Sequence, residues 1–215
     1  MPLNVDNTSM FIRKLSEQTL AAIATEAAEV LRMGGIVLFP TDTLYCLGAD
    51  ALSNAAVDTI YAIKGRDDKK PIHALVSDVE MAAHYAEIPD FGTALLAKAP
   101  GLVTVVAQKK QGIERGIARD IDTFGFRIPQ HALCEAVITA FGGPITATSA
   151  NTSGTVPPQS LGAILAQLGP AVSLIDLAID GGVLPVRAPS TVVDIAHGTP
   201  TILREGAATR ESLGL

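Results

Sequence analysis

The sequence predicts an α/β fold of the mixed α+β kind, a mixed sheet flanked by helices, and three observations carry that reading. Short apolar runs alternate with segments of helical periodicity along the whole chain. Glycine or proline closes most of those segments. The 215 residues, 48% hydrophobic and 18% charged, are enough to bury one core. One domain is therefore expected over residues 1–215, with its core from about 16 to 206 and no further C-terminal domain.

Ser16 to Met33 carries Leu20, Ile23, Ala24, Ala27, Val30 and Leu31 at helical spacing, opens on a serine and an acid, and stops at Gly34-Gly35. That pattern predicts a helix. Ile36 to Phe39 is apolar throughout and closed by Pro40, as a strand buried on both faces would be. A loop is expected from Pro40 to Asp50. Ser53 to Ile63 repeats the helical pattern and runs into Lys64-Gly65-Arg66, and Ile72 to Val76 reads as a strand. Asp78 and Asp90 each open a helix. Leu102 to Ala107 and Thr123 to Ile128 read as strands, and His131 to Phe141 as a helix stopped by Gly142-Gly143. Ile145 to Thr148 is a strand feeding the loop Ser149-Ala150-Asn151-Thr152-Ser153-Gly154. A helix at Ser160 to Leu168, a strand near Leu174 to Ile179 and a strand pair at Thr191 to Ile195 and Thr201 to Arg204 complete the order.

The net charge of −6 repels polyanions from the molecule as a whole, so any anion must be caught locally. Residues 64 to 127 hold ten basic side chains against nine acids, while the remainder holds six against thirteen. A basic middle in an acidic chain suits a small anion in one cleft better than a long backbone-tracking groove. Cys46 and Cys134 lie far apart, in neither metal nor redox spacing. No apolar run approaches the roughly 20 residues of a membrane span, and the first residues lack the basic and apolar regions of a signal peptide. A cytoplasmic location with no membrane partner is the expectation.

Phosphate-cradling glycine motifs, a nucleophile elbow and zinc-ligand spacing are all missing from the sequence. What remains is polar loops that each follow an apolar strand, Pro40-Thr41-Asp42-Thr43 and Ser149 to Gly154, together with the cations Lys64, Arg66, Lys69 and Lys70. Each has a plain structural explanation: the first loop can turn the chain, Asp42 can cap that turn, and the cations can complement a helix C-terminus. Lys64 and Arg66 are two apart, so on an extended segment they point to one side. Positive charge and hydroxyls without a base or nucleophile suit nucleotidyl transfer, which needs positioning and charge compensation, usually with Mg²⁺.

The segments PTDTLYCLGA from Pro40, KGR at Lys64, PGLVT from Pro100, FRIP from Phe126, TSANTSG from Thr148, STVVD from Ser190 and ILREG from Ile202 stand in a fixed order. Together they resemble the YrdC family, whose stand-alone members are threonylcarbamoyl-AMP synthases of the TsaC type. The resemblance runs from about Gly34 to Gly206. It implies a YrdC/RibB-like twisted mixed sheet around a positively charged groove. It also implies a reaction in which L-threonine, bicarbonate and ATP give threonylcarbamoyl-AMP and pyrophosphate, the first step toward t6A in tRNA.

By that resemblance Thr43, Arg127, the backbone at Ala147, and Ser190 match threonine-binding positions. Arg66, Lys70, Thr123, Ser149 and Arg204 match ATP-binding positions, and Lys64, Arg66, Ser149 and Asn151 form a catalytic tetrad. ATP enters as substrate, with Mg²⁺ expected alongside it and its ligands unassigned. Transfer-RNA, through double-stranded RNA binding, and the downstream threonylcarbamoyl-transferase proteins are the candidate macromolecular partners. Cys46 stands where the family usually has glycine; if that position required a positive φ, the cost would be about 1 kcal/mol. Two alternatives stay open: carbamoyl-adenylate chemistry with another acceptor, and an RNA-binding module, against which the acidic total and the lack of Trp count.

Overall fold

The structure, a computed structural model, describes residues 10–65 and 70–215. It opens with a strand that the sequence pattern does not reveal, β1 (Phe11–Lys14). Helix α1 (Leu20–Arg32) starts later than its pattern because Thr19, not Ser16, is the cap: its hydroxyl accepts from the Ala22 amide at 3.3 Å. Strand β2 (Val37–Pro40) is buried at every position. Its antiparallel partner β3 (Tyr45–Gly48) falls inside the segment read as loop. The Thr41 hydroxyl explains this, since it accepts from the amides of Thr43 and Leu44 at 3.1 and 3.2 Å and turns the chain back alongside β2.

Helix α2 (Asn54–Lys64) is capped by Ser53 and ends at Gly65 in the left-handed conformation. After it come β4 (Ala74–Leu75), α3 (Val79–Ala83) capped by Asp78, α4 (Asp90–Lys98), β5 (Val103–Gln108) and β6 (Thr123–Arg127). Helix α5 (Ala132–Phe141) stops at Gly142, and β7 (Ile145–Thr146), β8 (Thr148–Ser149) and α6 (Leu161–Leu168) follow. The chain closes with β9 (Leu177–Asp180), β10 (Thr191–Asp194), β11 (Thr201–Arg204) and a short helix α7 (Arg210–Leu213).

The strands form two mixed sheets, ordered β1-β9-β2-β3-β8 and β11-β10-β5-β6-β4-β7. The stretch that reads as one strand from Ile145 serves both: β7 pairs with β4 in the second sheet, and β8 pairs with β3 in the first. Ala147, at the crossing, donates its amide to the His73 carbonyl at 2.9 Å.

One apolar cluster draws Leu38, Leu47 and Ala178 from the first sheet and Val105, Phe124, Phe126 and Val193 from the second. A smaller one packs α1 and α5 through Ile23, Leu31, Leu133 and Val137 onto Val37, Phe39, Leu177 and Ile179. Burying each such large side chain contributes about 1.5–3 kcal/mol, so those faces are committed to the core. Because side chains alternate along a strand, Thr123, Gly125 and Arg127 of β6 and Thr104 of β5 must take the other face of the second sheet.

Candidate active site

That second face collects polar groups from distant parts of the chain. Thr104 pairs with Val192 of β10, and its hydroxyl lies 2.7 Å from that of Ser190, both buried. Arg204 of β11 also pairs with Val192, and its guanidinium donates to the Ser190 carbonyl at 2.8 Å. Arg127, at the end of β6, is 3% exposed. It donates to the Thr43 hydroxyl at 2.9 Å and forms an ion pair with Asp42, so the β2–β3 turn of the first sheet is fastened to this face. Arg127 Nε is buried and, among the described residues, has no acceptor. A buried donor left unpaired costs about 1–3 kcal/mol, so this atom favours an acceptor placed beside it.

Asp42 departs from its expected role. Thr41 caps the turn, while Asp42 takes Arg127 and the Gln130 amide at 3.3 Å, and its carbonyl accepts from Arg187 at 2.6 Å. Nor is the Arg127 pair a surface salt bridge, since the two side chains are 4% and 10% exposed. Burial lowers the pKa of His131, before α5, with the Asp42 carboxylate pulling it the other way.

A second polar cluster surrounds Lys64. Lys64 is the last residue of α2, not part of an extended segment, and it is buried. Its ammonium donates to the carbonyls of Ser149 and Asn151 and to Asn151 Oδ1, the last two at 3.0 and 3.1 Å. Ser149 donates to Asn151 Oδ1 at 2.5 Å, and Asn151 Nδ2 reaches the carbonyls of Thr152 and Thr155. Cys46 links the two clusters: it pairs with Ser149 across the ladder, and burial pushes its thiol up to about 11 despite the pull of Arg127 and Lys64. It lies inside β3, and the only non-glycine residue with a left-handed φ among the described residues is Asp120, so Cys46 carries no backbone strain.

Of the residues expected to form the site, Thr43, Arg127, Thr123, Ser190 and Arg204 gather on or over one face, and Lys64, Ser149 and Asn151 form the adjoining cluster. Ala147 sits at the crossing between the sheets, its amide taken by His73. Lys70 is exposed, its carbonyl accepting from Tyr61 at 3.0 Å. Arg66 and Lys69 lie outside the described residues. Thr104 and His73 escape sequence reading, although each is a polar residue inside an apolar run, a signal worth weighing in a strand.

The family model for Sua5, YciO and YrdC proteins, described as "Telomere recombination", matches residues 29–206. The chain belongs to the Sua5/YciO/YrdC family. Among its relatives, threonylcarbamoyl-AMP synthase of Pyrococcus abyssi is 35% identical over 190 residues, 87% of this chain and 55% of the relative. That of Bacillus subtilis is 32% identical over 191 residues, 87% of this chain and 54% of the relative. The crystal structure of P. abyssi Sua5 complexed with L-threonine matches with a TM-score of 0.84 at 32% identity, covering 95% of this chain and 59% of that one. The chain thus spans about half the length of the curated relatives it matches. The expected fold class, mixed α/β with sheets flanked by helices, is the one the family shares. Among the described residues no helix is long and apolar enough to cross a membrane.

Proposed function

We propose that this chain is a threonylcarbamoyl-AMP synthase, an enzyme of nucleotidyl transfer that makes threonylcarbamoyl-AMP and pyrophosphate from L-threonine, bicarbonate and ATP. The observation that carries the reading is Arg127, a buried guanidinium paired with Asp42 and Thr43 but keeping one unpaired donor. An amino acid is a zwitterion, and an arginine beside an aspartate matches both of its charges. Support comes also from the relatives of that name and from the related structure holding L-threonine.

The threonine carboxylate would meet Arg127, and its hydroxyl the Thr43 and Ser190 side. The phosphates would extend toward Thr123 and Arg204, and Arg66 and Lys70 are the cations proposed to offset their charge. The Lys64 side chain lies against the Ser149–Asn151 loop and would stand near the place where charge builds on the α-phosphorus. The threonine amine adds to bicarbonate with loss of water, or to carbon dioxide with loss of a proton, and an oxygen of the resulting carbamate then attacks the α-phosphorus, breaking the α–β phosphoanhydride bond and expelling pyrophosphate. Approximation of three reactants supplies much of the rate. Among the described residues no three His, Cys, Asp or Glu side chains cluster as metal ligands. Mg²⁺ would therefore enter on the phosphates of ATP, as that ion commonly does. Within the cell we place the enzyme in the cytoplasm, handing its product to a threonylcarbamoyl transferase acting on tRNA.

The test is mass detection of the adenylate from ATP, bicarbonate and threonine, with serine and no-amino-acid controls. A threonine-dependent adenylate and pyrophosphate support the reading. Adenylate formed without any amino acid points to another carbamoyl acceptor, and salt-sensitive RNA binding with no adenylate to an RNA-binding module.

A further inference from the structure

Resting on that functional reading, we propose that Thr104 is a positioning residue that sets amino-acid specificity: it fixes the Ser190 hydroxyl so that the site reads the hydroxyl of threonine. Thr104 closes the motif PGLVT, and the reaction as assigned gives it no task. Val105 pairs with Phe126, so Thr104 stands one step further along the same ladder, level with Arg127. On its other side Thr104 pairs with Val192 of β10. It therefore occupies the row between the arginine that would take the substrate carboxylate and the segment that carries Ser190.

The hydroxyls of Thr104 and Ser190 share a hydrogen bond at 2.7 Å, in residues 1% and 3% exposed. Among the described residues neither hydroxyl has a second partner. Each hydroxyl brings its own hydrogen, so the pair carries one hydrogen more than its shared bond uses, whichever oxygen is the donor. A buried hydrogen of this kind favours an acceptor beside it. The hydroxyl of threonine both accepts and donates, so it would complete the chain. An amino acid without that hydroxyl leaves the pair unsatisfied, and a site built to hydrogen-bond a substrate hydroxyl rejects such an analogue strongly.

The main chain at Ser190 is held from two sides, which leaves only its side-chain rotor to be set. Arg204 donates to the Ser190 carbonyl at 2.8 Å, and a Cβ on Gly206 would stand 2.6 Å from the Ser190 carbonyl carbon. A serine side chain can still choose among staggered χ1 positions, and its hydroxyl hydrogen rotates. Thr104 makes that choice. It is β-branched and lies within β5, so its own χ1 is stiff and its oxygen is a fixed reference for Ser190.

The experiment measures by calorimetry the Kd of L-threonine and of L-2-aminobutyrate, which is threonine without its hydroxyl, for the wild-type chain, Thr104→Val and Thr104→Ser. Adenylate formation by the wild type is followed alongside. A hydrogen bond corresponds to about tenfold in affinity, so wild type should prefer threonine by at least about that factor. Thr104→Val, which keeps the branched shape, should weaken threonine about tenfold and leave 2-aminobutyrate within about twofold. Thr104→Ser, which keeps the hydroxyl, should retain the wild-type preference. An equal loss of both amino acids in Thr104→Val would mean that Thr104 only supports the fold and overturns the assignment. An unchanged preference in that variant overturns it too, as does a wild type that binds the two amino acids alike. Each of these results leaves the functional reading standing while wild type makes the adenylate; a wild type that makes none sinks that reading and this assignment with it.

Discussion

Arg127 donates to the Thr43 hydroxyl at 2.9 Å and so ties the end of β6 in one sheet to the β2–β3 turn of the other. The site is a joint between two sheets. Substitutions at the joint should therefore change binding and stability together.

Asp42→Ala leaves the Arg127 charge buried without its partner. Breaking a buried pair in this way costs about 3–5 kcal/mol, which a urea titration would read as a lower midpoint at unchanged slope. Threonine affinity should fall in the same variant. An unfolding free energy within about 1 kcal/mol of wild type would mean that the pair does not hold the joint.

Lys64→Met removes the ammonium shared by Ser149 and Asn151 and takes the donor from the Asn151 carbonyl, while the Ser149 carbonyl keeps the Asn151 amide and Asn151 Oδ1 keeps the Ser149 hydroxyl. A stability loss of about 1–3 kcal/mol is expected. Adenylate formation should drop by roughly 10²–10³ because a fixed charge near the phosphate is lost. Lys64→Arg should not restore it, since a planar fork does not match three acceptors converging on one nitrogen.

Gly206 and Gly162 make an internal contrast. A Cβ on Gly206 would stand 2.2 Å from the Pro189 carbonyl oxygen and 2.6 Å from the Ser190 carbonyl carbon, so Gly206→Ala must push Ser190 aside. Overpacking of this kind costs about 1–3 kcal/mol, and the threonine KM should rise with it. Gly162, in α6, has nothing within 4 Å of such a Cβ. Gly162→Ala should be neutral or stabilising by up to about 1 kcal/mol, with unchanged kinetics.

Burial raises the Cys46 thiol from 9.0 to about 11, and Cys134 rises too. Both thiols should resist a thiol reagent in the native protein at neutral pH and react once it is unfolded. Between 9.0 and about 11 the unfolded chain has released the Cys46 proton while the native chain still holds it. The stability contributed by Cys46 is thus complete below the unfolded value and lost as pH rises through the native one. Cys46→Ser should flatten the fall of stability over that window; an equal slope in both proteins would show that the thiol does not titrate with folding.

How far the sequence could be read depended on whether the signal was local. Ser53, Ser160 and Gly142 mark helix ends through their own hydrogen bonds or backbone freedom, and the helices they bound lie where the pattern puts them. Strand β1 escaped because its partner is far away in sequence, Phe11 pairing with Leu177. β3 escaped because a hydroxyl-capped turn hides a hairpin inside a polar motif. The split of the Ile145–Ser149 stretch between two sheets follows from tertiary pairing that no local pattern encodes. At the site, the motifs name Thr43, Arg127 and Ser190, which the fold brings to one face, whereas Asp42 reads as a turn cap and Thr104 as part of an apolar run. Their roles exist only once β5, β6 and the β2–β3 turn are brought together.

Diffraction from crystals grown with L-threonine and a non-hydrolysable ATP analogue tests the central claim most directly. The threonine carboxylate should lie on Arg127, with the phosphates running past Gly125 toward Thr123 and the Lys64–Ser149–Asn151 cluster. Threonine bound away from Arg127, or phosphates on a different face of the second sheet, would contradict the account.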